Sequence, residues 1–500
     1  MKMSKVVNNT LDVIKEAIDL ICNPVASTLG PTGKNVLTVN EYGDAHLTKD
    51  GITVAKNIKD DDPVINGLVN IIREASANTA KTSGDGTTTS LVLTKALFDN
   101  GVAAIKQGCN PTLLKHGMNE ALNDIIKFID VNSETIDIND YKLSEVAYIS
   151  ANNDKEVGDI AVQAVRESGS NGTINIEDSQ TYDTYIKVSN GFTFDRGYIS
   201  SHFSDNAKLE YENPLVFISE VEINKDTTIE LLTHASKNNS PLIIIAPDFN
   251  EAIFMLLYKN YKAGVVNVCP IKAPGFAGNR RDILEDLADY TNAELYSKNT
   301  TMAINFLGRA DKAIINQDST SIINDIPSRR SVAKVGHLKS LIESDFNSPM
   351  VESYQKRITA LNGYIATIYV GATTELELKE KKDRIEDAVC AVQTALKDGI
   401  SEGGGFTFIQ AYNHLQKNIC CAGYKVVIDS LLAPFKQLCL NSDLELEIPK
   451  DKGYNFKTDV WENLKEAGVI DPTLVLKNAI TNSVGIISNL LTTSYITYVN

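Results

Sequence analysis

Gly84-Asp85-Gly86-Thr87-Thr88-Thr89 is the stretch on which the reading of this chain turns. Upstream of it Val64, Leu68, Ile71, Ile72 and Ala75 recur at helical spacing, and downstream Leu91, Val92, Leu93, Ala96, Leu97 and Phe98 do so again. The six residues are therefore a connector between two helices. Its glycines let the backbone turn without a Cβ, and its three hydroxyls fall on the first turn of the next helix, where free N–H groups and the positive dipole end attract an anion. That describes a phosphate seat. A lone carboxylate at Asp85 would repel phosphate unless a divalent cation lay between them, as Mg²⁺ does when it takes carboxylate and phosphate oxygens together. The other reading is a glycine-rich turn whose threonines only cap a helix, and the six residues alone do not decide between the two.

At 500 residues the chain exceeds what one hydrophobic core supports, so two to four domains are expected. Its composition, 43% hydrophobic and 22% charged, is that of a globular protein. The formal charge of −16 argues against nucleic acid or an anionic membrane as partner, since both reward clustered Lys and Arg. Residues 1–20 carry Asp12, Glu16 and Asp19 among their apolar positions, unlike a signal peptide, and no apolar run reaches spanning length. A soluble, intracellular protein is expected. The seven cysteines, among them Cys420 and Cys421, form no CxxC pattern and read as free thiols. The six scattered histidines signal neither a zinc site nor a Ser-His nucleophile.

Residues 4–27 are expected to form an amphipathic helix with Val7, Leu11, Ile14, Ile18 and Ile21 on one face. It ends at Thr28-Leu29-Gly30-Pro31-Thr32-Gly33-Lys34, which lacks the spacing of a P-loop. A second turn, Thr48-Lys49-Asp50-Gly51, adds another Asp-Gly. These turns and the central stretch either converge on one ligand or are ordinary connections. Residues 214–330 alternate strands (242–246, 265–269, 313–316) with helices (226–238, 249–262, 280–291), an α/β module of its own. The helix over 249–262 has an unusually wide apolar arc, with Ile253, Leu256 and Leu257 beside Phe254, Tyr258 and Tyr261. It is either buried on both sides or part of a groove for another polypeptide. A long helix over 375–398 carries Ile385, Ala388, Val389, Val392 and Leu396 as its core stripe, with Asp387 nearly opposite, either solvated or facing a ligand. Helical texture then runs to the C-terminus.

In this order the motifs resemble those of the group I chaperonins, the bacterial GroEL type. The matching residues are Thr28-Leu29-Gly30-Pro31, Lys49-Asp50-Gly51, Gly84 to Thr89, Phe194-Asp195-Arg196-Gly197-Tyr198, Lys272-Ala273-Pro274-Gly275-Phe276, Arg384-Ile385-Glu386-Asp387-Ala388, Gly403-Gly404-Gly405 and Asp471-Pro472-Thr473. The resemblance spans nearly the whole chain. It implies a multidomain α and α/β fold: a mostly helical equatorial domain (1–131 and 398–500), a small α/β intermediate hinge domain (132–189 and 366–397) and an α/β apical domain (190–365).

The same resemblance implies an ATPase that binds non-native polypeptides and assists their folding in a ring chamber. Carried over by position, Asp85 would hold Mg²⁺, and Leu29, Gly30, Pro31, Gly86, Thr87, Thr88 and Thr89 would surround the phosphates. Backbone carbonyls of Thr28 and Lys49 would seat K⁺, and Gly404, Asn455 and Asp471 would hold base and ribose. Asp387, assisted by Asp50, would activate the attacking water. Tyr198, Phe203, Ile229, Leu232, Phe254 and Tyr258 would form the client groove. The implied partners are client proteins, further copies of the chain in heptameric rings, and a co-chaperonin of the GroES type, in a bacterial or, for a viral gene, host cytoplasm. An ATP-independent holdase that keeps the fold is the alternative.

Several positions depart from the family pattern. His202 and Lys259 stand where the groove keeps an aromatic and an aliphatic residue, Tyr364 replaces a hinge glycine beside Gly363, and a proline is missing near residue 135. The loop 441–452 is short and the chain lacks a Gly-Gly-Met tail. A divergent, virus-encoded member with altered ring pairing is the expectation.

Overall fold

The computed structural model describes residues 4–7, 9–39, 45–83, 85–151, 154–169, 172–203, 208–275, 278–297, 302–344 and 350–499. Gly84 and Phe276, each part of a quoted motif, lie outside these. The chain divides into two compact units, one made of residues 1–166, 180–183 and 370–500, the other of 167–179 and 184–369.

The first unit opens with helices α1 (Thr10–Ala26), α2 (Gly51–Asn57), α3 (Pro63–Ser83), α4 (Thr87–Lys106), α5 (Pro111–Asn132), α6 (Lys142–Ser150) and α7 (Lys155–Ser168), the last running just past its boundary. The expected helical spacing buries Ile14, Ile18 and Ile21 of α1 against Leu68 and Ile72 of α3 and Leu91, Leu97 and Phe98 of α4. The chain start differs from expectation. Ser4–Val7 is a strand, paired antiparallel with a strand Ile496–Val499 in the register Lys5↔Tyr498, so the described residues neither start nor end in a helix. The reason is non-local: a short Val-containing run can exchange backbone hydrogen bonds with a distant segment, which no periodicity within residues 4–27 reveals.

The second unit contains α8 (Lys225–Lys237), α9 (Glu251–Lys262), α10 (Gly278–Thr291), α11 (Arg329–Ser344) and α12 (Val351–Leu361). Strands Leu215–Ile218, Leu242–Ala246 and Val268–Lys272 pair in parallel, with α8 and α9 as their crossovers. Buried throughout, Leu242–Ala246 shows the continuous apolar run of a strand covered on both faces. The strand expected at 265–269 begins three residues later. Gly264 at φ +67° turns the chain first and leaves Val265 exposed. A separate six-stranded sheet runs in the order 173–178, 364–370, 185–194, 320–324, 312–315, 209–212.

The chain then returns to the first unit through α13 (Glu375–Asp398), α14 (Phe406–Leu415), α15 (Ala422–Ser430), α16 (Ala433–Asn441) and α17 (Thr473–Leu490). Ile480, Val484 and Ile487 of α17 complete the core begun by α1, α3, α4 and α5. Two small antiparallel ladders, Ile400–Glu402 with Ile470–Pro472 and Gly453–Asn455 with Val460–Glu462, carry Asp471 and Asn455.

Candidate functional site

Within the first unit a cleft of about 1180 Å³ opens between the end of α1, the starts of α2 and α4, the middle of α13 and the two small ladders. Every residue carried over to the nucleotide site lines this one cleft: Thr28, Leu29, Gly30, Pro31, Lys49, Asp50, Asp85, Gly86, Thr87, Thr88, Thr89, Asp387, Gly404, Asn455 and Asp471. They come from seven places in the sequence.

Local chemistry fixes each wall. Gly86 precedes α4 at φ +98°, a conformation that disfavours side chains, and a Cβ there would meet Val475 Cγ1 at 2.8 Å. The turn brings Thr87 to Thr89 onto the first turn of α4. Thr87 is buried, and its hydroxyl oxygen has no hydrogen-bond partner in the protein. An orphaned buried hydroxyl beside a helix N-terminus is what a bound anion would satisfy. Asp50 caps α2, its two oxygens accepting from the N–H groups of Ile52 (3.0 Å) and Thr53 (2.8 Å). Next to it Gly51 approaches Thr88 so closely that a Cβ would lie 2.2 Å from Thr88 Oγ1. The Asp50 turn and the α4 threonines are thus packed as one surface.

Of the seven carboxylates that line this space, Asp85 and Asp50 act on Asp387, and Asp85 acts on Asp471. Burial, then the charges of Asp85 and Asp50, push Asp387 up to about 8. Burial and the charge of Asp85 push Asp471 up to about 7. Asp85 opens onto the cleft, yet the surrounding protein desolvates its carboxyl and raises it, against the hydrogen bond it accepts from the Gly86 N–H. Lys49, whose ammonium donates to the Pro31 carbonyl at 3.1 Å, is pushed down by desolvation. Lys49, Lys155, Lys379, Arg384 and Lys457 also line the cleft, yet burial and the neighbouring carboxylates still hold Asp387 and Asp471 raised, an excess of acid at that spot which a divalent cation would balance. Together with the unpartnered Thr87 hydroxyl, this donor set fits a metal–phosphate ligand.

Asn455 is engaged more fully than a base-binding residue needs. Its Nδ2 donates to Glu462 Oε1 at 2.8 Å and its Oδ1 accepts from the Lys457 N–H at 3.0 Å, so its side chain shapes the turn that walls the cleft.

Sequence reading missed Asn441. This buried side chain on α16 donates from Nδ2 to the carbonyls of Ala26 and Leu29, both at 2.9 Å, while Gln437 Nε2 donates to its Oδ1 at 2.8 Å. It therefore clamps the 28–31 turn from more than 400 positions away in the sequence, a spacing that carries no local signal. In Asn441→Leu both carbonyls lose their buried donor, and we expect a loss of about 2–4 kcal/mol in unfolding free energy, measurable by urea titration.

In the second unit, a groove of about 360 Å³ between α8 and α9 is lined by Ile229, Leu232, Leu256, Asn260 and Val265, among others. Ile229 is 42% exposed, whereas Leu232 lies in the floor. Phe254 and Tyr258 are half-buried on another flank of α9, with Tyr198 half-buried elsewhere in the unit. Phe203 corrects the expectation of an open contact residue. It is fully buried, with ring centroids 5.5 Å from Phe254, 6.1 Å from Tyr258 and 5.6 Å from Tyr261, because its ring completes the core under α9. His202 packs edge-on against Tyr258 at 5.7 Å. The wide apolar arc of α9 is thus partly core and partly surface. Leu256, Asn260 and Val265 were not anticipated as groove residues.

A helical unit holding an acid-ringed anion cleft, joined to a layered α/β unit with an apolar groove, is the build of a chaperonin subunit. The sequence pattern of the TCP-1/cpn60 chaperonin family matches residues 21–239 and 225–498, and the chain belongs to that family. Its fold is similar to that of the chaperonin gp146 from the Pseudomonas aeruginosa bacteriophage EL, solved in the presence of ATP-BeFx in two crystal forms. The likeness has a TM-score of 0.77 for one form and 0.68 for the other, at 22% identity, and covers 99% of this chain and 98% of that one.

Proposed function

We propose that this chaperonin subunit hydrolyses ATP in the cleft of the first unit and uses the cycle to bind and release non-native polypeptides at the α8–α9 groove. The observation that carries the first half is the convergence of Asp50, Asp85, Asp387 and the unpartnered Thr87 hydroxyl on one cleft. Phosphoryl transfer needs positioning and charge neutralisation more than covalent chemistry, and this is a set of positioned acids and hydroxyls. Thr87, Thr88 and Thr89 with the start of α4 would seat the phosphates, Asp85 would hold Mg²⁺, and Thr28 and Lys49 would contribute carbonyls to K⁺. Bound Mg²⁺ would supply positive charge beside the clustered acids. Asp387 carries its proton at neutral pH in the nucleotide-free chain. In the loaded site, with that charge supplied, it would be ionised and able to accept a proton from the attacking water, with Asp50 holding the turn beneath it.

The proposed organisation is equatorial (1–131 and 398–500), intermediate (132–189 and 366–397) and apical (190–365), with Asp387 on the intermediate part so that hydrolysis waits for closure. Assembly into rings is supported by the hairpin Val36–Val39/Ala45–Thr48, which leaves Leu37, Val39 and Leu47 about 60% exposed. A two-stranded hairpin with such a face is stable only when covered, and a second copy of the chain is the partner a symmetric oligomer supplies. Seven subunits per ring, a GroES-type lid, a viral origin and residence in the cytoplasm complete the reading. Among the described residues no helix is long and apolar enough to cross a membrane.

The test is steady-state phosphate release by the purified chain, alongside suppression of aggregation of a chemically unfolded protein with and without ATP. Turnover with ATP-dependent release supports the proposal. Client binding with no turnover would leave the holdase reading in its place. For the groove, Ile229→Asp places a charge on its open rim and should weaken capture of the unfolded protein at least about tenfold, multiplied across a ring, with phosphate release unchanged.

A further inference from the structure

We propose that Cys420, Cys421 and Glu120 form a binding site for a thiophilic divalent cation such as zinc, separate from the nucleotide cleft. Cys420 Sγ lies 3.9 Å from both Cys421 Sγ and Glu120 Oε2, and the three ligand atoms are all within 4.8 Å of one another. Tetrahedral zinc, with Zn–S near 2.3 Å and Zn–O near 2.0 Å, sets edges of about 3.8 Å between sulfurs and about 3.5 Å between sulfur and oxygen. The two edges that meet at Cys420 Sγ stand within a few tenths of an ångström of that spacing, and the third is within 4.8 Å. Solvent would fill the fourth position.

Packing holds them there. Gly117 on α5 lets the start of α15 approach so closely that a Cβ would lie 2.4 Å from Cys421 Sγ and 3.0 Å from the Tyr424 backbone nitrogen. One turn further along α5, Glu120 reaches the same spot, and Tyr424 Oη, donating to Asp124 Oδ2 at 3.3 Å, ties the two helices again. Of the seven cysteines only Cys420 and Cys421 are exposed; Cys22, Cys269 and Cys439 are buried, and Cys109 and Cys390 are half-buried. The pair is thus the accessible soft-donor set of the molecule. Desolvation, then the hydrogen bond with Cys421 and, after these, the neighbouring Cys421 and Glu120 charges raise the Cys420 thiol. No local pattern marks the trio, because adjacent cysteines lack CxxC spacing and Glu120 is 300 positions away.

Binding would release both thiol protons to solvent as two thiolates and the Glu120 carboxylate donate electron pairs to the metal, so apparent affinity should rise by up to about a hundredfold per pH unit below the thiol range. The probe is Cd²⁺, titrated into the reduced, chelator-treated full-length chain while the thiolate-to-cadmium charge-transfer absorption is followed. The expected result is one Cd²⁺ per chain, displaced by Zn²⁺. Cys420→Ser and Cys421→Ser should each lower the affinity about a hundredfold or more and Glu120→Gln about tenfold, with unchanged circular dichroism. The positions are exposed and Cys421 makes no capping hydrogen bond, so these variants should fold. Absence of the band, half a cadmium per chain, or an affinity untouched by any one of the three substitutions overturns the site.

Discussion

Asp387→Asn should leave a chain that still binds ATP but releases phosphate about 10²–10³ times more slowly, because the side chain keeps its shape and loses its ability to take a proton. The same substitution should stabilise the nucleotide-free protein. Asp387 is raised from 3.8 to about 8 by burial and by Asp85 and Asp50. For an acid raised on folding, the unfolded chain gives up its proton first, so stability falls as pH climbs from about 4 to about 8 and is flat on either side. Asparagine has no such penalty. The variant should therefore match the wild type near pH 4 and exceed it by about 2 kcal/mol near pH 8, a figure discounted for partial solvent access. Urea unfolding at the two pH values and a phosphate-release assay check both halves. Equal turnover in the two proteins would remove Asp387 from the chemistry, and equal stability at pH 8 would mean its carboxyl is not desolvated as described. A residue that weakens the resting fold while serving the reaction is the usual trade at active sites.

The residues that line the cleft of the first unit were legible because they sit on short motifs with a backbone reason to be there. Gly86 at positive φ, the Asp50 cap and the triple threonine on α4 each follow from local rules that six residues can display. What the residues alone left open was whether the turns converge, and that depends on α13 and the ladders, which approach from the far end of the chain. Elements were read where one periodicity dominated: Glu375–Asp398 was expected over 375–398 and Leu242–Ala246 over 242–246. The errors have a common cause. Ser4–Val7 is a strand because Ile496–Val499 pairs with it, Asn441 matters because two distant carbonyls need a donor, and Phe203 is core because three rings close over it. Each is settled by a partner far away in sequence, or by which side of a helix the core takes, and neither is written in the local pattern.

Asp85→Asn should separate electrostatics from shape in the same cleft. Asparagine retains an oxygen to accept from the Gly86 N–H, so the turn before α4 should persist, but the negative charge that would hold a divalent cation is gone. In the wild type, Mg²⁺–ATP at about 100 times its dissociation constant should add about 2.7 kcal/mol of stability by mass action, and the variant should lose nearly all of that increment. Removing the metal should weaken the wild type to the level of the variant. A second consequence is independent of ligand. After burial, the Asp85 charge acts most strongly on both Asp387 and Asp471, so its neutralisation should bring both back toward the ordinary carboxylate range. Lower folded-state values mean that less stability is lost as pH rises, so the nucleotide-free variant should show a shallower decline between about pH 4 and 8 than the wild type. Differential scanning calorimetry across that range, with and without Mg²⁺–ATP, reads both effects. A variant that kept the full Mg²⁺–ATP increment would place the metal elsewhere, and a pH profile parallel to that of the wild type would mean that the acids of the cleft do not share one field.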